Sequence, residues 1–331
     1  MLLHGEANVL ALTGVRCDHA RLVVEPRPGA GSAVTFHTDF RYIPMAHRVA
    51  PGLKVRDFRD FRKGKWRRIG YEGSIPAASY LELRRQFPRA ALVDVEEDVH
   101  RLRAVKSAAE LAGLVRAEAL NDEIWCATRR EIRPGMTEKD IQRLIRARMN
   151  ALGDGEAFET IVCAGKNAAE CHHVPDDTVW HRGEPLLVDM GVKLDGFCSD
   201  MTRCLPDSKG LARARGLEEY RKIYGIVLEA NRKAIAAARP GMTGRELDKV
   251  ARDVIRRAGY GKCFGHALGH GVGYEIHEAP AASSRSEMKL EPGMLVTIEP
   301  GIYLEGKLGV RIEDLVVITS TGCEVLSHSA K

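Results

Sequence analysis

The chain has 331 residues, 29% charged and 44% hydrophobic, with a formal net charge of +5. These are the proportions of an ordinary globular protein of about two domains, and no apolar run reaches the roughly 20 residues of a membrane span. The opening MLLHGEANVLALTG has no basic leader and carries Glu6, so no signal peptide is expected; eight scattered cysteines without a CxxC pair read as free thiols in a reducing cytoplasm.

In chain order, residues 1–105 pattern as a small α/β domain. Strands are expected near residues 9–12, 22–24, 34–36 and 91–93, and helices over 41–50 and 77–87. The basic run from Arg56 to Arg68 has seven Lys or Arg in thirteen residues, with Phe58, Phe61 and Trp66 interleaved. It reads as a solvated face with some aromatic packing rather than a nucleic-acid patch. A second domain, 106–331, opens on a long helical stretch over 108–132.

Two echoes follow. RPGMT occurs at residues 133–137 and again at 239–243, an offset of 106. Each copy opens an amphipathic helix, with Ile141, Leu144, Ile145 and Met149 on one face of the first and Leu247, Val250, Val254 and Ile255 on one face of the second. Thr137 and Thr243 are the expected N-caps. The second echo is acidic. VDMGVKLDG from Val188 lines up without gaps on IEPGIYLEG from Ile298, an offset of 110. Each segment reads as a β-hairpin with one carboxylate per arm, Asp189 and Asp200 in one, Glu299 and Glu313 in the other. Matching offsets argue for an internal duplication. A pseudo-two-fold axis would bring four carboxylates together, with His270 of HALGHGVGYEIHE between the two segments. Buried acids need neutralising charge, so this set suggests a pair of divalent cations.

These motifs resemble a known family. Residues from about 107 onward are similar to the pita-bread metallopeptidase domain of prolidase (Xaa-Pro dipeptidase), aminopeptidase P, methionine aminopeptidase and creatinase. The His-centred stretch, the fourteen-residue spacing of Glu299 and Glu313, and GVRIED resemble the prolidase and aminopeptidase P branch. HTDFRY (37–42) and RLRAVKSAAEL (101–111) resemble that branch's N-terminal domain and connection, although the N-terminal domain here is short. The implied fold is mixed α/β (α+β): a duplicated pita-bread domain behind a small creatinase-like α/β domain.

The resemblance implies a dinuclear peptidase that hydrolyses Xaa-Pro bonds with a metal-bridging hydroxide, the dipeptidase reading ahead of aminopeptidase P. It implies two divalent ions, Mn or Co before Fe or Zn, as suits an oxygen-rich site. Asp189 would hold one ion, His270 and Glu299 the other, and Asp200 and Glu313 would bridge. Glu299 would also shuttle the proton. His277 would stabilise the oxyanion, His172 and His266 would bind substrate, and Arg311 would orient a site carboxylate, with Tyr303 a candidate partner. His173 reads as a neighbour of His172. The implied partner is a peptide with proline second, in a cytoplasmic homodimer with no nucleic-acid or membrane contact. Two other readings stay open: an amidohydrolase acting on a small non-proline metabolite, and a non-catalytic peptide-binding module.

Overall fold

The computed structural model describes residues 1–27, 29, 31–61, 66–211 and 216–331. Contacts divide the chain into two compact units, Met1–Arg103 and Ala104–Lys331.

The first unit is built on β1 (Leu2–Leu3), α1 (Glu6–Thr13), β2 (Ala20–Pro26), β3 (Ser32–Thr38), α2 (Ile43–Val49), β4 (Lys54–Asp57), β5 (Arg68–Tyr71), α3 (Ala77–Gln86), β6 (Ala91–Asp94) and α4 (Glu96–Ala104). The strands form one sheet in the order β4-β3-β2-β1-β5-β6. Side chains alternate across a strand, so Leu3, Leu22 and Phe36 pack on one face with Val9 of α1 and Val99 of α4. Leu2, Val23 and Ile69 pack on the other with Leu83 and Phe87 of α3 or its end.

Residues 9–12 are helical, not the strand expected. A short apolar run does not separate the two states, and Ala7, Leu10, Ala11 and Leu12 favour helix. In the basic run, Arg56, Arg59, Arg67 and Arg68 are exposed, while Phe61 packs on Trp66 and Phe87. Arg62 to Lys65 lie outside the described residues.

The second unit contains α5 (Ala108–Thr128), α6 (Glu138–Leu152), β7 (Gly155–Glu156), β8 (Ile161–Ala164), β9 (Leu186–Met190), β10 (Val192–Leu194), β11 (Phe197–Cys198) and β12 (Met201–Leu205). After α7 (Ser208–Leu211) come α8 (Glu218–Ala237), α9 (Gly244–Arg257), β13 (Gly269–Gly271), β14 (Glu278–Ala282), β15 (Leu295–Ile298), β16 (Gly301–Leu304), β17 (Leu308–Arg311), β18 (Asp314–Ile318) and β19 (Cys323–Val325). Helix α5 stops at Thr128, four residues short of the expected end, and the chain turns over 129–131. Its start is fixed by a Ser107–Glu110 capping box.

The duplication is visible in detail. Thr137 caps α6 in a box with Asp140, and Thr243 caps α9 in a box with Glu246. Asn121 of α5 donates Nδ2 to the carbonyl of Met190, and Asn231 of α8 donates Nδ2 to the carbonyl of Ile298 (both 3.0 Å). Each long helix thus ties its own acidic hairpin by the same side-chain type.

The hairpins have two tiers. In the first, β9 pairs with β12 and β10 with β11; in the second, β15 pairs with β18 and β16 with β17. The tiers meet at a kink. Asp189 is the penultimate residue of the lower arm of one hairpin and Glu299 follows that of the other, while Asp200 and Glu313 stand in the return kinks, each just ahead of the next strand. Gly191 makes the first kink possible, since a Cβ there would lie 2.1 Å from the Ser199 carbonyl oxygen. The tip is the acid–Gly turn expected, with Asp195 and Gly196 both left-handed (φ 52° and 86°).

Candidate active site

A cavity of about 510 Å³ in the second unit is lined by Asp189, Asp200, His270, Glu299 and Glu313, together with His172, His266, His277 and Arg311. Phe158, Glu159, Ile161 and Ile276 line it as well. The kinks explain the convergence: they turn the ends of two apolar hairpins toward each other, so residues far apart in the chain share one wall.

Three of the four carboxylates accept a side-chain hydrogen bond, and the fourth acid, Asp200, is anchored through its backbone. Arg311 Nη2 donates to Asp189 Oδ2 at 2.6 Å, and its Nε donates to Thr202 Oγ1 at 2.9 Å. Thr202 Oγ1 in turn donates to Glu313 Oε2 at 2.7 Å. Thr297 Oγ1 donates to Glu299 Oε1 at 3.2 Å. The backbone N–H of Asp200 donates to Glu118 Oε2 at 3.1 Å, and Ser327 Oγ holds the other oxygen of Glu118 at 2.6 Å. Behind the site, the buried Arg203 pairs with Asp314 at 3.0 Å and donates to the carbonyl of Glu313.

His270 shows what the cluster requires. Its Nδ1 lies 3.1 Å from the carbonyl of Gly271, which can only accept, so Nδ1 carries the proton. Burial, with the charge of His277 adding, pushes its pKa down to about 4. The neutral ring therefore aims a lone pair at Nε2, which sits 3.5 Å from both Asp200 Oδ2 and Glu299 Oε1. Acceptors face acceptors. Burial and mutual repulsion push Asp200 and Glu313 well above the usual carboxylate range, and burial with Asp189 nearby pushes Glu299 up to about 8. Asp189 Oδ1 is buried without a hydrogen-bond partner. Ligand atoms of Asp200, His270 and Glu313 lie within 4.8 Å of one another. One guanidinium, that of Arg311, cannot neutralise four acids. The donor set, oxygen-rich with one imidazole, fits divalent cations.

The histidines divide. His172 and His277 are exposed to the cavity, and the His277 ring stands edge-on to that of His270 at 4.2 Å. His266 is engaged at both nitrogens, with the Ala267 carbonyl 2.7 Å from Nδ1 and the Tyr303 hydroxyl 2.9 Å from Nε2. Tyr303 also accepts from Arg311 Nη1 at 2.9 Å. His173 does more than adjoin His172: its Nε2 lies 2.7 Å from Glu138 Oε2. The buried Glu138 also accepts from Asn167 and from the backbone N–H groups of Ala164 and Asp176, which fastens the loop that carries His172.

Sequence reasoning missed Glu118, Thr202, Thr297 and Glu138. Glu118 had a signal: it interrupts the buried stripe of Leu114, Ala117, Asn121, Ile124 and Trp125 on α5. Thr202 and Thr297 stand two residues from Asp200 and Glu299, inside the strands that adjoin them. Glu138 opens α6 and carries no pattern to mark it.

Residues 112–320 match the model of metallopeptidase family M24, and residues 1–105 match the creatinase/prolidase N-terminal domain. The chain belongs to metallopeptidase family M24. Like other M24 members it has the pita-bread fold, and it is a metallo-exopeptidase. The Xaa-Pro dipeptidase of Lactobacillus helveticus is 41% identical over 261 residues, which cover 78% of this chain and 69% of that relative. The solved prolidase of Pyrococcus furiosus superposes with a TM-score of 0.88 at 31% identity, covering 100% of this chain and 96% of its own. An X-Pro aminopeptidase of Thermotoga maritima superposes with a TM-score of 0.86 at 32% identity, covering 99% and 95%. Among the described residues of this M24 chain, no helix is long and apolar enough to cross a membrane. All eight cysteines are free.

Proposed function

We propose that this M24 enzyme is a dinuclear metal-dependent peptidase that hydrolyses Xaa-Pro bonds, with dipeptides ahead of longer peptides. The observation that carries the dinuclear reading is the confrontation of acceptors at His270, Asp200, Glu299, Glu313 and Asp189 on one cavity wall. The names of the similar prolidases and dipeptidase support the substrate class. Asp189 is assigned to one ion and His270 with Glu299 to the other. Asp200 and Glu313 are assigned as bridges. Manganese or cobalt is favoured over iron or zinc on the oxygen-rich donor set. Bound there, the ions would supply a hydroxide nucleophile at neutral pH and would polarise the scissile carbonyl.

The chain's own groups do the rest. Arg311 and Thr202 fix Asp189 and Glu313 before substrate arrives, so little reorganisation accompanies the reaction. Glu299, with Oε1 held by Thr297, takes the proton of the nucleophile and passes it to the proline nitrogen. His277 donates a ring N–H to the oxygen that gains charge. His172 meets the far end of the substrate, and the ring of His266 walls the cavity while its nitrogens stay tied. A cytoplasmic homodimer is part of the same reading.

The test is metal analysis by native mass spectrometry after Mn²⁺ or Co²⁺ loading, followed by hydrolysis of Ala-Pro, Met-Pro, Arg-Pro-Pro, non-proline dipeptides and cyclic ureas. Two ions per chain and cleavage confined to Xaa-Pro bonds are expected. Equal cleavage of Ala-Pro and the proline-second tripeptide removes the dipeptide preference. Cleavage of non-proline amides alone replaces the reading with an amidohydrolase, and no turnover by the loaded protein leaves a binding module.

A further inference from the structure

One carboxylate on the cavity wall has no part in the steps above. Glu159 lies in the extended segment that enters β8, two residues ahead of Ile161, the strand partner of Asp189. Thr160 between them is buried and gives its carbonyl to Gln142. Glu159 and Ile161 both line the cavity. The Glu159 side chain is exposed, and no hydrogen bond or ion pair engages it among the described residues. Arg311, the cavity's one guanidinium, is committed to Asp189, Thr202 and Tyr303. The cavity thus offers a carboxylate whose counter-charge comes from outside the chain.

A dipeptide carries positive charge at one end and a carboxylate at the other. Its carboxylate is repelled by Glu159, so the wall that holds Glu159 faces the N-terminal residue. With the scissile carbonyl at the acid cluster, the α-ammonium is one carbon away from it and stays within the cluster. Glu159 stands two residues along from the partner of Asp189, roughly 6–7 Å at the rise of an extended chain. That is the reach of a long side chain rather than of the α-ammonium.

We propose that Glu159 is a specificity determinant that selects substrates with Lys or Arg as the N-terminal residue. The inference rests on the Xaa-Pro reading above. Its expected size is that of one solvent-screened ion pair, roughly five-fold in kcat/KM, expressed in KM because the contact is made equally in ground and transition states.

The test compares Lys-Pro, Arg-Pro, Met-Pro and Glu-Pro with the metal-loaded wild type and with Glu159→Gln, Glu159→Asp and Glu159→Lys. The Lys-Pro to Met-Pro ratio is expected to exceed one in the wild type and in Glu159→Asp, to fall to about one in Glu159→Gln, and to drop below one in Glu159→Lys. The Glu-Pro ratio moves oppositely, and 0.5 M salt flattens both. An unchanged ratio in Glu159→Gln overturns the inference while the Xaa-Pro reading stands. So does an equal loss on all substrates, which places Glu159 against the common α-ammonium or in the fold. No cleavage of any Xaa-Pro dipeptide by the wild type overturns both.

Discussion

The two halves of the catalytic unit share a frame and differ in what they present to the cavity. Both have a long helix whose Asn ties a kinked hairpin, a second helix with a Thr capping box, and two acids at the kink. Beside Asp189, however, the neighbouring strand offers Ile161, with Phe158 and Glu159 ahead of it. On the other side, the strand next to Thr297 brings His270, flanked by His266 and His277. The shared part gathers charge, and the divergent part sets three histidines on one side of it and Phe158, Glu159 and Ile161 on the other. The halves are also interlocked: Arg311 of the second holds Asp189 of the first, and Thr202 of the first holds Glu313 of the second.

The largest effect should come from breaking the frame where the halves meet. Asp200→Ala and Glu313→Ala are each expected to lose both ions and all turnover, whereas Asp189→Ala should keep one ion. Native mass spectrometry counts them, and a single ion lost from Asp200→Ala would remove its bridging role.

Next is the divergent side. His277→Ala should lower kcat by roughly 10²–10³-fold, the scale of one oxyanion donor, with metal content intact. Near-normal turnover would make His277 structural.

The interlock comes third. Thr202→Val removes the hydroxyl between Arg311 and Glu313 and should weaken metal affinity by about 10–100-fold. Titration with Mn²⁺ against a chelator measures it, and an unchanged affinity would mean that Arg311 alone holds the site.

The acids also set a pH dependence. Glu299 and Glu118 sit near 8 in the folded, metal-free protein because of burial, against about 4.3 for a free Glu. Between those values these two groups bind more protons in the folded state than in the unfolded one, so their contribution to stability falls as pH rises. The melting temperature of the chelator-treated protein should therefore decline from pH 7 to pH 8.5, above the range in which His270 and His266, held near 4 by burial, oppose the trend, and metal, which displaces those protons, should reverse it. A metal-free melting temperature that rises over this range would contradict the burial argument.

The smallest effect tests the sameness of the halves. Thr137→Ala and Thr243→Ala should each cost about 1 kcal/mol, and the double variant their sum, since the caps share no partners. Urea denaturation reads all three; a strongly unequal pair would show that one half carries more of the cooperative core.

The sequence by itself determined the duplication and marked the four acids and His270 that line one cavity, because matched offsets and acids in apolar strands leave few foldings that neutralise the charge. It also marked Thr137 and Thr243, since a cap is a local bond within three residues. It misjudged residues 9–12, where a four-residue apolar run serves helix or strand equally. Tertiary structure alone decided who holds whom. The contacts of Arg311 with Asp189, Thr202 with Glu313, Glu118 with Asp200 and Glu138 with His173 join residues from 35 to 122 positions apart. No periodicity spans such gaps. For the acids of the cavity, the kinks at the ends of the two hairpins, set by close backbone contacts such as that at Gly191, bring the partners within hydrogen-bond reach; for Glu138 and His173 it is the packing of the loop after β8 on the start of α6.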